Sequence, residues 1–572
     1  LIMRACRIQK KRILISLLFN NRLFTNSLIE NRLQDALKED KGMGCDMPAL
    51  DPFAKEVMQF DKDLPKVVCS GQDWVKCYLH ECRVVKEILA TNTDIKCYYR
   101  DIIYKSDFKY VIGDATEVKG SNPYVLRESD HVKVRCEGKP KSGFFSAKWL
   151  GNVQGLRTLT PPRSAKRGGA IDVLIFGFDS TSRNGFIRKM PESYRFITEE
   201  LGMTILNSYN IVGDGTPAAQ FPILTGKNEL EHPEARRSRS DAFLLAEDFI
   251  FHKVDYRTAY FEDMPSIGTF QYRFNGFNRQ PAQHYLRAFF QEEQASSSSN
   301  QYCVGDTPTY KLMMNITEQL FRLPGKHFAF TFIVDICHDD FNMIATADED
   351  TVEFLQVLRR EGYLENTLLV IMGDHGPRYS EVRNTLQGKL EERLPLTAIR
   401  LPPILKRLRP DVSLEMNVNT LTTPYDIYAT ILDALDLNKY QNLYKVQGAD
   451  LYRGNSFLLD PLIPATAQAE APQGCPCASC LPLLTVGPHA LTTIVSVSHV
   501  SRRRANSRLL AFQGARDADG YLGNFNMPNL KYTEHYQIKV TVGPGRGIFE
   551  ASAVYQGNKF KYNIRDVSRV NP

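Results

Sequence analysis

Hydrophobic positions follow three different rhythms along this chain. Between residues 45 and 160, short apolar-rich runs at 66–69, 95–99 and 131–136 alternate with polar turns, which predicts a small α+β unit. From residue 170 the pattern changes. Residues 171–178 (IDVLIFGF) are almost continuously apolar, as in a strand buried on both faces. Phe186, Ile187, Met190, Tyr194, Ile197 and Leu201 then recur three or four apart, the period of a helix with one buried face. Further strands are predicted at 257–261, 328–334 and 368–372. A helix is predicted at 350–361, with Val352, Phe354, Leu355 and Leu358 on its face. Strand–helix–strand repetition predicts an α/β fold, a mainly parallel sheet sandwiched by helices. Past about residue 459 the alternation stops, and runs at 536–542 and 548–555 predict a β-rich C-terminal segment.

These shifts divide the chain into a leader or irregular segment (1–44), a cysteine-containing N-terminal α+β unit (45–160), a core (165–460) and a C-terminal cysteine-containing, β-rich segment (461–572). The basic, Gly- and Pro-containing stretch 161–169 reads as a linker, and 294–301, with four serines, as a surface loop. A length of 572 residues exceeds one ordinary core, so two or three domains are expected. A 43% hydrophobic and 24% charged composition fits a globular chain and argues against a disordered or fibrous one. The net charge of +6 comes without a sustained basic stripe, although basic residues cluster at 10–12 and 502–504. Nucleic acid is therefore not an expected partner.

Cysteine usage bears on compartment. Seven of the twelve cysteines lie in the first quarter (Cys6 in the leader, then Cys45, Cys69, Cys77, Cys82, Cys97 and Cys136), three (Cys475, Cys477, Cys480) sit together near the end, and only Cys303 and Cys337 fall in the core. The pair Cys477 and Cys480 has no matching second pair, which disfavours a zinc knuckle. A disulfide-bearing periphery around a cysteine-poor core fits better, and places the protein outside the cell or in the secretory pathway. The sequon Asn315-Ile316-Thr317 is compatible with a secreted glycoprotein. Residues 13–19 (ILISLLF) follow Lys10-Lys11-Arg12 in the order of a signal peptide or short anchor, and equally fit an ill-defined N-terminus. No apolar run approaches the roughly 18–20 residues that span a bilayer, so any membrane attachment is expected only through this N-terminal segment.

Open parallel sheets carry their chemistry in loops at the carboxyl ends of strands, and three such loops concentrate oxygen and nitrogen ligands. Asp179 directly follows the apolar run 171–178, where it reads either as a ligand or as a helix cap. Thr216-Pro217 has the N-cap and N1 pattern, which predicts Thr216 at a helix N-terminus, either as a plain cap or as a nucleophile where N–H groups favour an anion. The strand at 368–372 ends in Gly373-Asp374-His375-Gly376, a carboxylate beside an imidazole that suits a divalent cation with mixed ligands. Asp335, His338, Asp339 and Asp340 cluster past another predicted strand.

The segments 173–191 (VLIFGFDSTSRNGFIRKMP), 212–226 (VGDGTPAAQFPILTG), 260–264 (YFEDM), 338–342 (HDDFN) and 372–395 (MGDHGPRYSEVRNTLQGKLEERLP) together resemble the alkaline phosphatase and sulfatase superfamily. Within it the chain is similar to an animal family classed as domain of unknown function 229, over most of its length. The resemblance implies a metal-dependent hydrolase or transferase acting on a phosphate ester, less readily a sulfate ester. It implies Asp179, Thr216, Asp374 and His375 as one metal site with Thr216 the nucleophile, and His338 with Asp335 or Asp339 near a second metal. The cations implied are zinc, or calcium, magnesium or manganese. Arg183 and Arg378 are candidates to hold the non-transferred oxygens, because a guanidinium matches an oxyanion bidentately. Glu391 and Glu392 lie in the last matching segment without an assigned role. The formylglycine chemistry of sulfatases needs Cys or Ser where this chain has Thr216, which disfavours it. Pro217-Ala218-Ala219 replaces residues that are polar in many relatives, which points to an altered substrate or weakened catalysis. The alternative reading is a non-catalytic extracellular binding protein on the same fold, and a weaker one a transferase anchored by residues 13–19.

Overall fold

In the computed structural model, which describes residues 49–142, 145–160, 171–237, 239–296, 302–408, 414–437 and 454–458 together with the backbone of strands between 483 and 569, the N-terminal unit is built around one long strand. After the hairpin β1 (Val75–Tyr78) and β2 (Glu81–Val84) comes β3 (Asn92–Ser106), which pairs antiparallel with both β4 (Lys109–Ile112) and β5 (His131–Pro140). The strand β6 (Ala147–Gln154) pairs with β5. Two short helices, Lys55–Met58 and Lys86–Thr91, complete the α+β unit. Disulfides Cys77–Cys82 and Cys97–Cys136 cross these pairs, and Cys69–Cys303 ties the unit to the core. The strand predicted at 66–69 does not form. That stretch is held by side chains instead of a ladder, with the Val67 amide donating to Thr346 Oγ1 and Lys66 paired with Glu349.

The core sheet has seven strands: β7 (Asp172–Phe178), β8 (Thr204–Ile205), β9 (Arg257–Glu262), β10 (His284–Tyr285), β11 (His327–Ile333), β12 (Thr367–Gly373) and β13 (Thr397–Arg400). Their spatial order is β8-β13-β12-β7-β11-β9-β10. The five strands from β12 to β10 are parallel, while on the other side β13 runs antiparallel to β12 and β8, at the edge, antiparallel to β13. Central β7 is buried on both faces, as its composition predicts. Leu174, Phe176 and Phe178 enter one hydrophobic cluster, and Val173 and Ile175 the other.

The helical pattern at 186–201 is one continuous period in the sequence but three pieces in space: α1 (Arg183–Lys189), a short turn of helix at Pro191–Arg195, and a wider π turn at Phe196–Glu200. Pro191 cannot continue the preceding helix, and it starts the next. The remaining long helices are α2 (Thr216–Thr225), α3 (Arg287–Ser296), α4 (Thr309–Arg322), α5 (Asp348–Arg360), α6 (Leu386–Arg393) and α7 (Pro424–Ala434). Thus 294–296, predicted as loop, extends a helix, while 297–301 lies outside the described residues. Asn315 of the sequon is exposed on α4.

Strands Glu534–Val542 and Gly547–Gln556 pair antiparallel where the C-terminal β segment is predicted, within a six-stranded sheet. The leader, the linker, Cys45 and the Cys475–Cys480 group lie outside the described residues. Among the described residues no helix is long and apolar enough to cross a membrane.

Candidate metal centre and nucleophile

Three loops at the carboxyl ends of β7 and β12 and at the start of α2 converge on one point. Asp179 follows β7 and is buried. Ser180 next to it adopts φ 54°, uncommon outside glycine, and its amide donates to Asp374 Oδ1 at 3.0 Å. Asp374 and His375 follow β12, both buried. The His375 amide donates to the same Asp374 oxygen at 2.8 Å. Ligand atoms of Asp179, Asp374 and His375 lie within 4.8 Å of one another. His375 Nδ1 is 2.8 Å from the Gly376 carbonyl, so it carries the proton and Nε2 keeps its lone pair, 3.2 Å from Asp374 Oδ2. Gly376 must lack a side chain, because a Cβ there would overlap the Glu391 carbonyl.

Asp374 Oδ2 is buried with no hydrogen-bond partner. Burial, and then the Asp374 carboxylate beside it, push the Asp179 carboxyl well above the usual range. Burial pushes His375 down, against the pull of Asp374. Two crowded carboxylates, an orphaned oxygen and an imidazole lone pair all call for a shared positive charge. The residues therefore fit a divalent cation with mixed O/N ligands.

Thr216 stands beside this group. Its hydroxyl donates to Asp179 Oδ1 at 3.1 Å, while Ser180 Oγ donates to Asp179 Oδ2 at 3.1 Å. Thr216 is the first residue of α2 and not its cap. The N-cap is Gly215, at φ 83°, a conformation that suits glycine. Nor does Asp179 cap α1, since Ser182 Oγ accepts from the Gly185 amide there.

The other residues picked out in the sequence lie at varying removes. Arg378 is half-buried, 3.2 Å from Asp214 Oδ1, and lies against the Tyr379 ring. The Arg183 guanidinium bonds Asn207 and Asn184 instead. His338 Nδ1 sits 2.7 Å from Asp339 Oδ1, and the Asp339 side chain is largely exposed. Asp335 is half-buried, its carboxyl raised to about 6 by burial. None of Asp335, His338 and Asp339 joins the three-residue group. Glu391 clamps Arg188 through two bonds and Glu392 pairs with Arg383, which supplies the roles missing from the sequence reading.

Two residues were not singled out from the sequence. Asp263 is buried just past β9 and accepts from the Val334 and Asp335 amides. Burial, then Asp335, raise its carboxyl. An acid directly after a buried strand was the available signal, the same one that marks Asp179. The buried Cys337 thiol is raised by burial and then by Asp179, Asp263, Asp374 and Asp335, so the two carboxylate pairs share one neighbourhood. Arg273, in the irregular loop after β9, donates to the Asp214 carbonyl at 2.7 Å. No periodic or spacing signal marks it.

A family model described as "Protein of unknown function (DUF229)" matches residues 58–502. No curated protein matches the chain. Among solved structures it is similar in part to a lipoteichoic acid synthase from Listeria monocytogenes, at 14% identity and a TM-score of 0.32 over 51% of this chain and 76% of that one. A protein in the alkaline phosphatase superfamily from Vibrio parahaemolyticus is similar at 9% identity and a TM-score of 0.35, over 72% of this chain and 84% of that one. A phosphonate monoester hydrolase of Agrobacterium radiobacter is similar at 12% identity and a TM-score of 0.31, over 68% and 88%.

Proposed function

The chain belongs to the family described as "Protein of unknown function (DUF229)", and from that premise we propose that it is a metal-dependent phosphoric-ester hydrolase or transferase of the alkaline phosphatase and sulfatase type, with Thr216 as nucleophile. The observation that carries this reading is the Thr216 hydroxyl held 3.1 Å from Asp179 Oδ1, at the edge of the Asp179–Asp374–His375 group. Those three residues would hold the cation. Two carboxylates and one imidazole suit zinc better than cations that prefer all-oxygen ligands, such as calcium or magnesium. When bound, the cation would supply the charge that makes the hydroxyl more acidic and the ester more electrophilic.

The chain's own groups do the rest. The hydrogen bond to Asp179 holds the Thr216 proton on the carboxylate side and leaves the hydroxyl lone pairs turned away from Asp179. The Thr216 oxygen bonds to phosphorus while the ester's alcohol departs. Water in a hydrolase, or an acceptor alcohol in a transferase, then displaces Thr216 and restores its hydroxyl. The positive end of the α2 dipole lies at Thr216 and favours the anion, although Pro217 has no N–H and the Ala218 N–H is bonded to the Gly215 carbonyl. Asp335, His338 and Asp263 make up the region where a second cation would sit, beside the first through Cys337.

The test compares wild type with Thr216→Ala, purified from a eukaryotic secretory host, for bound metal and for turnover of phosphate and sulfate esters. Wild type should carry at least one tightly held divalent ion per chain and cleave a phosphate ester. Thr216→Ala should keep the ion and lose turnover by about 1,000-fold or more. A folded wild type that neither holds nor responds to added metal would overturn this reading in favour of a binding protein.

A further inference from the structure

Gly215 marks an unusual meeting of charges. A Cβ at this position would overlap Arg378 Nη1 and come within 2.9 Å of Arg273 Nη2. Two guanidinium groups therefore converge on the backbone at Gly215, one residue before Thr216, in space left only because glycine has no side chain. Like charges so close need anions. Arg378 has Asp214 Oδ1 at 3.2 Å, while Arg273 and Arg236 share Glu229, each at 3.6 Å. Neither of the latter is a hydrogen bond, since Glu229 Oε2 is buried without a partner. Arg273 and Arg236 share the single Glu229 carboxylate, Arg378 lies among the carboxylates of Asp214, Glu392 and Asp374, and the positive end of α2 adds to the field at Gly215.

Both arginines are also held in place. Arg378 lies 5.3 Å over the Tyr379 ring, and Arg273 Nη1 is fixed on the Asp214 carbonyl. Such preorganised forks suit the oxygens of a tetrahedral anion. Arg183, the other arginine proposed from the sequence, spends its donors on Asn207 and Asn184.

Resting on the reading of Thr216 as nucleophile, we propose that Arg273 and Arg378 form a two-guanidinium clamp for the terminal oxygens of a doubly charged phosphoryl group, so that the site selects phosphate monoesters over phosphate diesters and sulfate esters. A monoester presents three terminal oxygens and two charges to the clamp. A diester has one of those oxygens esterified, which leaves two terminal oxygens and one charge. A sulfate ester keeps three oxygens but also carries a single charge. Arg273 thereby sets specificity, while the bond-making atom remains Thr216.

The experiment uses the full chain loaded with the divalent ion it retains. Steady-state kcat/KM is measured at pH 8 on p-nitrophenyl phosphate, methyl p-nitrophenyl phosphate and p-nitrophenyl sulfate, and the affinity for inorganic phosphate by calorimetry. Wild type should favour the monoester. Arg273→Ala should lose about tenfold or more on the monoester and on phosphate affinity, and less than about threefold on the diester and the sulfate. Arg236→Ala, which removes the other guanidinium at Glu229, should leave the preference intact. If Arg273→Ala does not fold, Arg273→Lys keeps the charge without the fork and should show a smaller loss in the same direction. Equal losses on all three esters, or unchanged phosphate affinity, would overturn the clamp. If wild type turns over no ester, the hydrolase reading fails, and the phosphate affinities of wild type and variant still decide the clamp.

Discussion

Asp374 divides its work between two oxygens. Oδ1 accepts the Ser180 and His375 amides and so shapes the loop, while Oδ2 is buried with nothing bonded to it. Asp374→Asn separates these roles, because an amide oxygen can still accept both N–H groups whereas its nitrogen cannot bind a cation. The variant should fold, with a melting midpoint in chelator within a few degrees of wild type, and should lose its metal on elemental analysis. Retained metal would remove Asp374 from the ligand set. The residues of this group were legible in the sequence for a physical reason: a carboxylate directly after an apolar strand has lost its water and needs a partner. The same logic reaches Asp263, which follows β9 as Asp179 follows β7. It does not reach Arg273, whose place beside Gly215 is set by a loop without periodicity.

At the scale of elements, the site loops are braced by a clamp between α1 and α6. Glu391 on α6 takes two bonds from Arg188 on α1, a third from Gln387 and a fourth from Ser182, with both charged side chains 2% exposed. Glu391→Ala would leave the Arg188 charge buried without its carboxylate. The expected cost is about 3–5 kcal/mol by chemical denaturation. Because the Glu391 backbone also lies against Gly376, metal affinity should fall with stability. A loss below about 1 kcal/mol would show that water reaches Arg188. The helices and parallel strands themselves were legible, since 3.6-residue and all-apolar patterns report burial directly. The break at Pro191 was not given its weight: apolar periodicity runs across 186–201, but a ring that removes an N–H group divides the segment into three. The strand predicted at 66–69 failed for the opposite reason: the Val67 amide bonds the Thr346 side chain, Val68 is exposed, and no neighbouring strand offers a ladder.

At the scale of the whole molecule, the N-terminal unit is wired into the core by contacts that no local pattern reports. Cys69 and Cys303 are 234 residues apart, and connectivity among twelve cysteines is not encoded in their spacing. Asp107, at the tip between β3 and β4, is buried against the loop that carries Arg273, accepting from Gln271 Nε2, the Phe277 amide and Tyr285 Oη. Asp130, just before β5, pairs with His284 on β10 at 3.0 Å, and Arg157 lies 3.5 Å away. Burial works to raise the Asp130 carboxyl, but His284, then Arg157 and His131, outweigh it and hold it at about 2, against 3.8 for a free group. A carboxyl whose pKa is lower in the fold binds its proton more readily when unfolded. Its stabilisation is thus complete above about pH 4 and is lost as pH falls towards 2. The shift corresponds to about 2 kcal/mol across that window. Asp130→Asn should be less stable than wild type at pH 7, and the difference should shrink steadily between pH 4 and 2 in urea titrations. A gap between the two proteins that stays constant down to pH 2 would mean that the pair across the two units carries no net charge stabilisation.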